Sequence, residues 1–209
     1  MPLISMIERR FEEEDEEKDK KKPEAGPEGE LLVGKFLKTR TILLSGEINK
    51  ELAEKTVRQL LLLEAEGPEP IRVFIDSPGG DVDAGFAILD MMRFVKPEVV
   101  TVGMGLVASA GALILLGGRK KQRFGLPNSH YLIHQPLSGM RGVATEIEIH
   151  ARELEKVRHR VNTLIADETG KPLEQVEKDT DRDFWMNAEE AAGYGLISKI
   201  ISSRKDLPA

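Results

Sequence analysis

"GMGLVASAGALILLGG" (Gly103 to Gly118) changes its periodicity halfway along. Up to Val107 it reads as the end of a strand that begins near Val99, and from Ser109 to Leu116 it reads as a helix, with Gly117-Gly118 as the stop. A strand running straight into a helix points to an α/β chain. The one hydroxyl at the junction, Ser109, stands between two alanines. Dehydrating a hydroxyl with no partner costs roughly 1 to 3 kcal/mol in proteins, so Ser109 is either a helix cap or a nucleophile.

The same alternation extends outward on both sides. "IRVFID" (Ile71 to Asp76) is the clearest strand, ending at a Pro-Gly-Gly turn, and Val82, Phe86 and Leu89 then share a helical face that closes before Pro97. Before it, Thr41 to Ser45 reads as a strand, and Asn49 caps a helix in which Ala53, Val57, Leu60 and Leu61 recur at helical spacing. After it come a strand from Ser129 to His134 and a long helix from Ala144 to about Glu168, ended by Gly170 and Pro172. A short helix follows from Pro172, and Asn187 with Glu190 three positions on starts another as a capping box. Strands interleaved with helices predict parallel pairing through crossovers.

Composition narrows the functional classes. The 209 residues, 40% hydrophobic and 32% charged, suit one globular domain. The longest apolar run, Leu106 to Leu116, is far below the ~20 residues that cross a bilayer, and no signal-sequence pattern opens the chain, which predicts a soluble, cytoplasmic protein away from membranes. There is no cysteine, so a nucleophile has to be oxygen or amine. The first 30 residues hold 11 acidic and 6 basic side chains, five of the six net negative charges. The body is therefore nearly neutral and lacks the basic face a nucleic-acid partner requires. Residues 1–30 form a charged segment expected to be flexible, and 31–209 the folded domain.

Four positions bear on chemistry. Ser109 at a helix start leaves the Ala110 amide free where the dipole favours negative charge. In "DSPGGD" (Asp76 to Asp81), Gly79 and Gly80 allow a close backbone approach and a second amide aimed at the same oxygen. Of four histidines, His150 and His159 lie among charged residues and read as solvated, while His134 ends its strand next to Gln135-Pro136, where it is either an ordinary half-buried histidine or a base for Ser109. A carboxylate to hold that base has four candidates, Glu177, Asp179, Asp181 and Asp183. Spacing does not choose among them, but Asp183, beside Phe184-Trp185, is the one expected to be drawn into apolar, water-shielded packing. With no HExxH motif and no third ligand near His130 and His134, no metal is expected.

The stretches "FIDSPGGDVDAGFAILDMM", "VASAGALILLGG", "LPNSHYLIHQPLSGMRGVATEIEIHARELEKV" and "LEQVEKDTDRDFWMNAEEAAGYGLI" together resemble the proteolytic subunits of the ATP-dependent Clp protease, from about Thr41 to Ile201. The resemblance implies a ClpP/crotonase-like spiral of ββα units with a handle (135–168, a strand plus the long helix), assembled as two stacked heptameric rings. It implies Ser109 as nucleophile, His134 as base and Asp183 as orienting acid, with Gly80 and Ala110 as oxyanion donors. Gly79, Gln135, Pro136, Leu137, Gly139 and Met140 would line the substrate, and Arg182 would sit at the ring-ring contact. Phe74 and Phe94, with Arg72 in place of an aromatic residue, would dock an AAA+ unfoldase of the Clp type. Ala110 replaces the family's usual methionine. Substrates would be unfolded proteins and short peptides. No cofactor is implied, because ATP belongs to the partner and this chain lacks a GxxxxGK[ST] loop. Two other readings remain: a structural subunit of mixed rings with a second ClpP paralogue, and an acyl-CoA hydratase or isomerase of the same broad fold, which needs no serine at 109.

Overall fold

A computed structural model describes residues 34–208, so the expected flexible segment 1–30 lies outside the described residues. Residues Phe36–Ala209 form one compact unit.

The first half of that unit repeats strand and helix: β1 (Thr41–Ser45), α1 (Lys50–Glu66), β2 (Ile71–Ser77), α2 (Val82–Phe94), β3 (Val99–Ala108) and α3 (Ala110–Leu115). β2 shows why. Ile71, Val73 and Ile75 are fully buried on one face, with Arg72, Phe74 and Asp76 half-buried on the other, the two-residue period of a strand covered mainly on one side. The helices bury that covered face, with Leu60 and Leu63 of α1, Ile88 and Met92 of α2 and Ile114 and Leu115 of α3 sharing the main core. The face of α1 differs from the sequence expectation. Ala53, Thr56, Leu60 and Leu63 are buried, Val57 is half-buried and Leu61 is exposed. The run of four leucines from Leu60 satisfies several helical faces, and contact with the sheet selects one. Asn49 caps α1 as expected, its side chain accepting from the Leu52 amide at 2.9 Å.

β1, β2 and β3 pair in parallel, and β3 then forks. Its first part pairs with β4 (Arg123–Gly125), which continues to β7 (Lys199–Ile200), while its last part pairs in parallel with β5 (His130–Ile133). Between these lies a bulge, where Ile75 pairs with Gly103 but Ser77 with Val107. The Asp76 carboxylate fills it, accepting the Leu106 amide at 3.0 Å. The fork swings β5 toward the end of β3 at which Ser109 stands.

After β5 come α4 (Ala144–Thr169), α5 (Leu173–Asp179), β6 (Phe184–Asn187) and α6 (Ala188–Tyr194). α4 ends at Gly170 in the left-handed region, and α6 starts with the capping box of Asn187 and Glu190. β6 pairs antiparallel with β5, an exception to the parallel rule. Residues 135–143, where the handle strand is expected, have no regular structure within the single chain, where they meet no strand to pair with. The glycine stop after α3 also works differently from the expectation. Neither Gly117 nor Gly118 has a positive φ; a Cβ on Gly118 would stand 2.6 Å from Thr101 Oγ1, so close packing demands the glycine.

The end of α3 is tied to α4 by a buried cation. Arg123 donates to the carbonyls of Gly118 (2.7 Å) and Leu116 (3.1 Å) and pairs with Glu168, which also binds Arg93 at 2.7 Å. Burial pushes the Arg123 guanidinium below its ordinary pKa, and Glu168 opposes that shift. No helix among the described residues is long and apolar enough to cross a membrane.

Candidate active site

Ser109 precedes α3 as its cap residue rather than occupying the first helical position. Its φ of 53° and ψ of −121° are unusual; among the described non-glycine residues only it and Arg40 have positive φ. Such a conformation costs on the order of 1 to 3 kcal/mol. The surroundings enforce it, with the Ser109 amide donating to Leu132 O at 2.9 Å and its carbonyl accepting from the Ala112 amide at 2.9 Å. The side chain caps nothing. Ser109 Oγ instead lies 2.9 Å from His134 Nε2, beside the imidazole a nucleophile would need.

The ladder between β5 and β6 supplies the third group. It pairs His130 with Asn187 and Ile133 with Phe184, and one further step along that register sets His134 opposite Asp183. His134 Nδ1 and Asp183 Oδ1 are 3.0 Å apart. An ionised carboxylate only accepts, so Nδ1 carries the proton and donates, leaving Nε2 as the acceptor for the serine hydroxyl. Burial runs against the expectation for Asp183: its side chain is 61% exposed and that of His134 only 16%. β6 is an edge strand paired only with β5, so Asp183 and Trp185 face outward while Met186 packs inward.

On the other side of Ser109 the Pro-Gly-Gly turn approaches by backbone. Gly79 has φ 97°, and a Cβ there would stand 2.6 Å from Ser109 Cβ, 2.9 Å from Ala108 O and 3.2 Å from Ala110 N. Gly80, at φ 145°, leaves no room either, since its Cβ would meet Ile48 O at 2.2 Å. Ile48 N donates to Gly79 O and Asp81 N to Ile48 O, both at 2.8 Å, and neither bond uses the Gly80 amide. The Ala110 amide, first in α3, lies outside the helix's own ladder. The two turns are thus side by side. Ser77 fastens the Gly79 turn, its Oγ donating to Gly46 O (2.6 Å) and accepting from the Gly79 amide (3.1 Å). Sequence reading missed Ser77, although a hydroxyl residue directly before Pro-Gly-Gly, at the end of a strongly apolar strand, was a visible signal.

Next to the serine is an apolar recess walled by Val82, Ala110, Leu113, Ile133, Pro136, Val161 and Ile165. Gln135 ties the segment after His134 to the segment before Asp183, its backbone amide donating to Thr180 O and its Nε2 to Asp181 O, both at 2.6 Å. Thr180 is itself buried and donates to Asn162 Oδ1 of α4 at 2.8 Å. Leu137 and Met140 project outward, 82% and 41% exposed, and Gly139 has open space around it.

Of the remaining positions singled out in the sequence, Arg72, Phe74 and Phe94 lie apart from this cluster. Arg72 donates to Pro208 O at 3.2 Å, Phe74 packs against the small second core of Val100, Val102, Phe124 and Ile201, and Phe94 is 77% exposed at the end of α2. Arg182 is exposed beside Asp183. His150, expected to be solvated, is half-buried and bonded to Ser138.

Comparison with known proteins agrees with this architecture. A family model described as Clp protease matches residues 25–204. The ATP-dependent Clp protease proteolytic subunit 2 of Treponema denticola is 66% identical over 180 residues, covering 86% of this chain and 90% of the relative. The corresponding subunit 1 of Bacillus cereus is 51% identical over 174 residues, covering 83% and 90%. Among solved structures, a mutant of ClpP1 from Listeria monocytogenes superposes with a TM-score of 0.78 at 51% identity, covering 83% of this chain and 98% of that one.

Proposed function

This chain belongs to the Clp protease family, and on that footing we propose that it is a serine endopeptidase in which Ser109, His134 and Asp183 act as nucleophile, base and orienting acid. The observation that carries the reading is the continuous hydrogen-bonded path from Ser109 Oγ through His134 to Asp183 Oδ1. His134 Nε2 takes the hydroxyl proton as Oγ attacks the peptide carbonyl carbon. The oxygen that becomes negative turns toward the amides of Gly80 and Ala110, each such donor being worth about 3 to 4 kcal/mol in the transition state. His134 then gives its proton to the leaving amine, leaving an ester on Ser109 that water hydrolyses by the same path in reverse. The apolar recess beside Ser109 would receive an uncharged side chain of the substrate, with Gly79 and residues 135–140 flanking the peptide.

The substrates we propose are unfolded chains delivered in the cytoplasm by an AAA+ unfoldase, which spends the ATP, together with short peptides that enter unaided. Phe74, Phe94 and Arg72 would receive the unfoldase, and Arg182 would face the opposite ring of a double heptamer. No metal or cofactor takes part in this scheme. A fluorophosphonate should label Ser109, and Ser109→Ala should lower the peptidase kcat by about a millionfold; an unchanged rate or an unlabelled serine in the assembled protein would end the proposal. A second reading, a subunit that needs a paralogue, is favoured by the numbered subunit names of the relatives. Activity that emerges only on mixing with such a paralogue would select it.

A further inference from the structure

The loop from Gln135 to Gly142 leaves β5 next to Ser109 and reaches α4 without regular structure, so side chains have to set its course. Gln135 fixes its start on Thr180 and Asp181. At its far end the Val143 amide donates to Glu146 Oε2 at 3.3 Å. Midway, Ser138 Oγ and His150 Nε2 lie 2.7 Å apart, joining the loop to α4. Around this contact Leu137, Gly139 and Met140 face outward from the single chain, so no packing within the chain holds the loop there. The serine hydroxyl donates to a bare Nε2 or accepts from a protonated one, and the contact survives in either tautomer.

We propose that His150 is a positioning residue for the substrate: by holding Ser138 it fixes the course of Pro136–Ser138, the part of the loop next to the Ser109 recess, before a peptide arrives. This inference rests on the peptidase reading above. A peptide that adds to an edge as an extra strand gains affinity from main-chain hydrogen bonds. If the edge wanders, each binding event must order it first, and affinity falls by that cost. The tether leaves the backbone of Pro136 to Ser138 untouched, because both of its ends are side chains. His150 contacts none of the reacting groups, so its loss should raise KM and spare kcat.

Steady-state cleavage of a fluorescence-quenched extended peptide tests this with His150→Ala, Ser138→Ala, the double variant and His150→Gln. KM should rise about three- to tenfold in each alanine variant, with kcat within about twofold, as expected for losing one partly exposed hydrogen bond that acts in binding. The double variant should be no worse than either single one, and His150→Gln should recover part of the loss. Fluorophosphonate labelling of Ser109 and the size-exclusion profile should match the wild type. A wild-type KM in Ser138→Ala, additive effects in the double variant, or a change confined to kcat or to assembly would overturn the proposal. If the wild type neither cleaves the peptide nor takes the label, the peptidase reading falls and this inference with it; if the wild type cleaves and the variants keep its KM, only the tether fails.

Discussion

The turn that carries Ser109 is enclosed by backbone, with Leu132 O on its amide, Ala112 on its carbonyl and Gly79 too close to admit even a methyl group, whereas Asp183 directly precedes an edge strand with its side chain 61% exposed. Both belong to one hydrogen-bonded path, yet they are held by different physics. The serine side inherits its geometry from the core, since α3 is fully buried. The acid side depends on one antiparallel ladder step and on Gln135 bonding to Thr180 and Asp181. Damage to the first should therefore cost folding as well as chemistry, and damage to the second chemistry alone.

The largest effect on activity in this comparison is expected from Asp183→Asn. An amide in that place can present the wrong hydrogen-bonding face to His134, which in a serine triad costs about 10⁴-fold in kcat. Because the side chain is largely exposed, the unfolding midpoint in urea should correspond to a change within about 0.5 kcal/mol. A variant that lost stability along with activity would show that the acid side is built into the core after all.

Gly79→Ala is the converse. Its φ of 97° strains any side chain, and the new Cβ would press on Ser109 Cβ and Ala108 O. A loss of about 3 kcal/mol in stability is expected from strain and overpacking together, with activity down at least about a hundredfold as the serine shifts. Gly193→Ala is the control. It lies in α6 with nothing within 4 Å of the added atom, and should be neutral or stabilising by up to about 1 kcal/mol. Equal stability losses for both glycine variants would mean that the crowding around Ser109 has no special weight.

The same division explains what could be read from the sequence. The serine side was legible because long elements carry a periodic pattern: β2, α2, β3 and the turn into α3 were all expected close to where they lie. The acid side was not. β6 has four residues and β4 three, too short for periodicity to declare itself, and nothing local fixes the direction in which β6 pairs. Four carboxylates within seven positions looked equivalent until the register of β5 against β6 set Asp183 opposite His134. The apolar shielding expected for Asp183 failed because Phe184 and Trp185 sit on an edge strand, where alternate residues face out. The φ of Ser109 is likewise a product of tertiary contacts and has no local signature.

The smallest effect concerns a titrating group that lies between the two sides. Tyr131 lies in β5 between these regions, fully buried, with Ser129 Oγ donating to its Oη at 2.8 Å. Burial is the main cause of its altered pKa, pushed up to about 12, with the Ser129 hydrogen bond working the other way. The phenol therefore keeps its proton in the folded chain over a range where the unfolded chain, at an ordinary pKa near ~10, has lost it. Binding more protons when folded means that stability is complete below pH ~10 and declines as pH rises toward ~12. At pH ~11 the decline attributable to this residue should be about 1.4 kcal/mol. Urea midpoints of the wild type and Tyr131→Phe measured at pH 9 and 11 isolate it, because Tyr194, also raised by burial, titrates alike in both proteins. The wild type should lose more stability than the variant between the two pH values. Parallel losses would mean that β5 opens to water at high pH, and the contrast between an enclosed serine side and an exposed acid side would then hold only near neutrality.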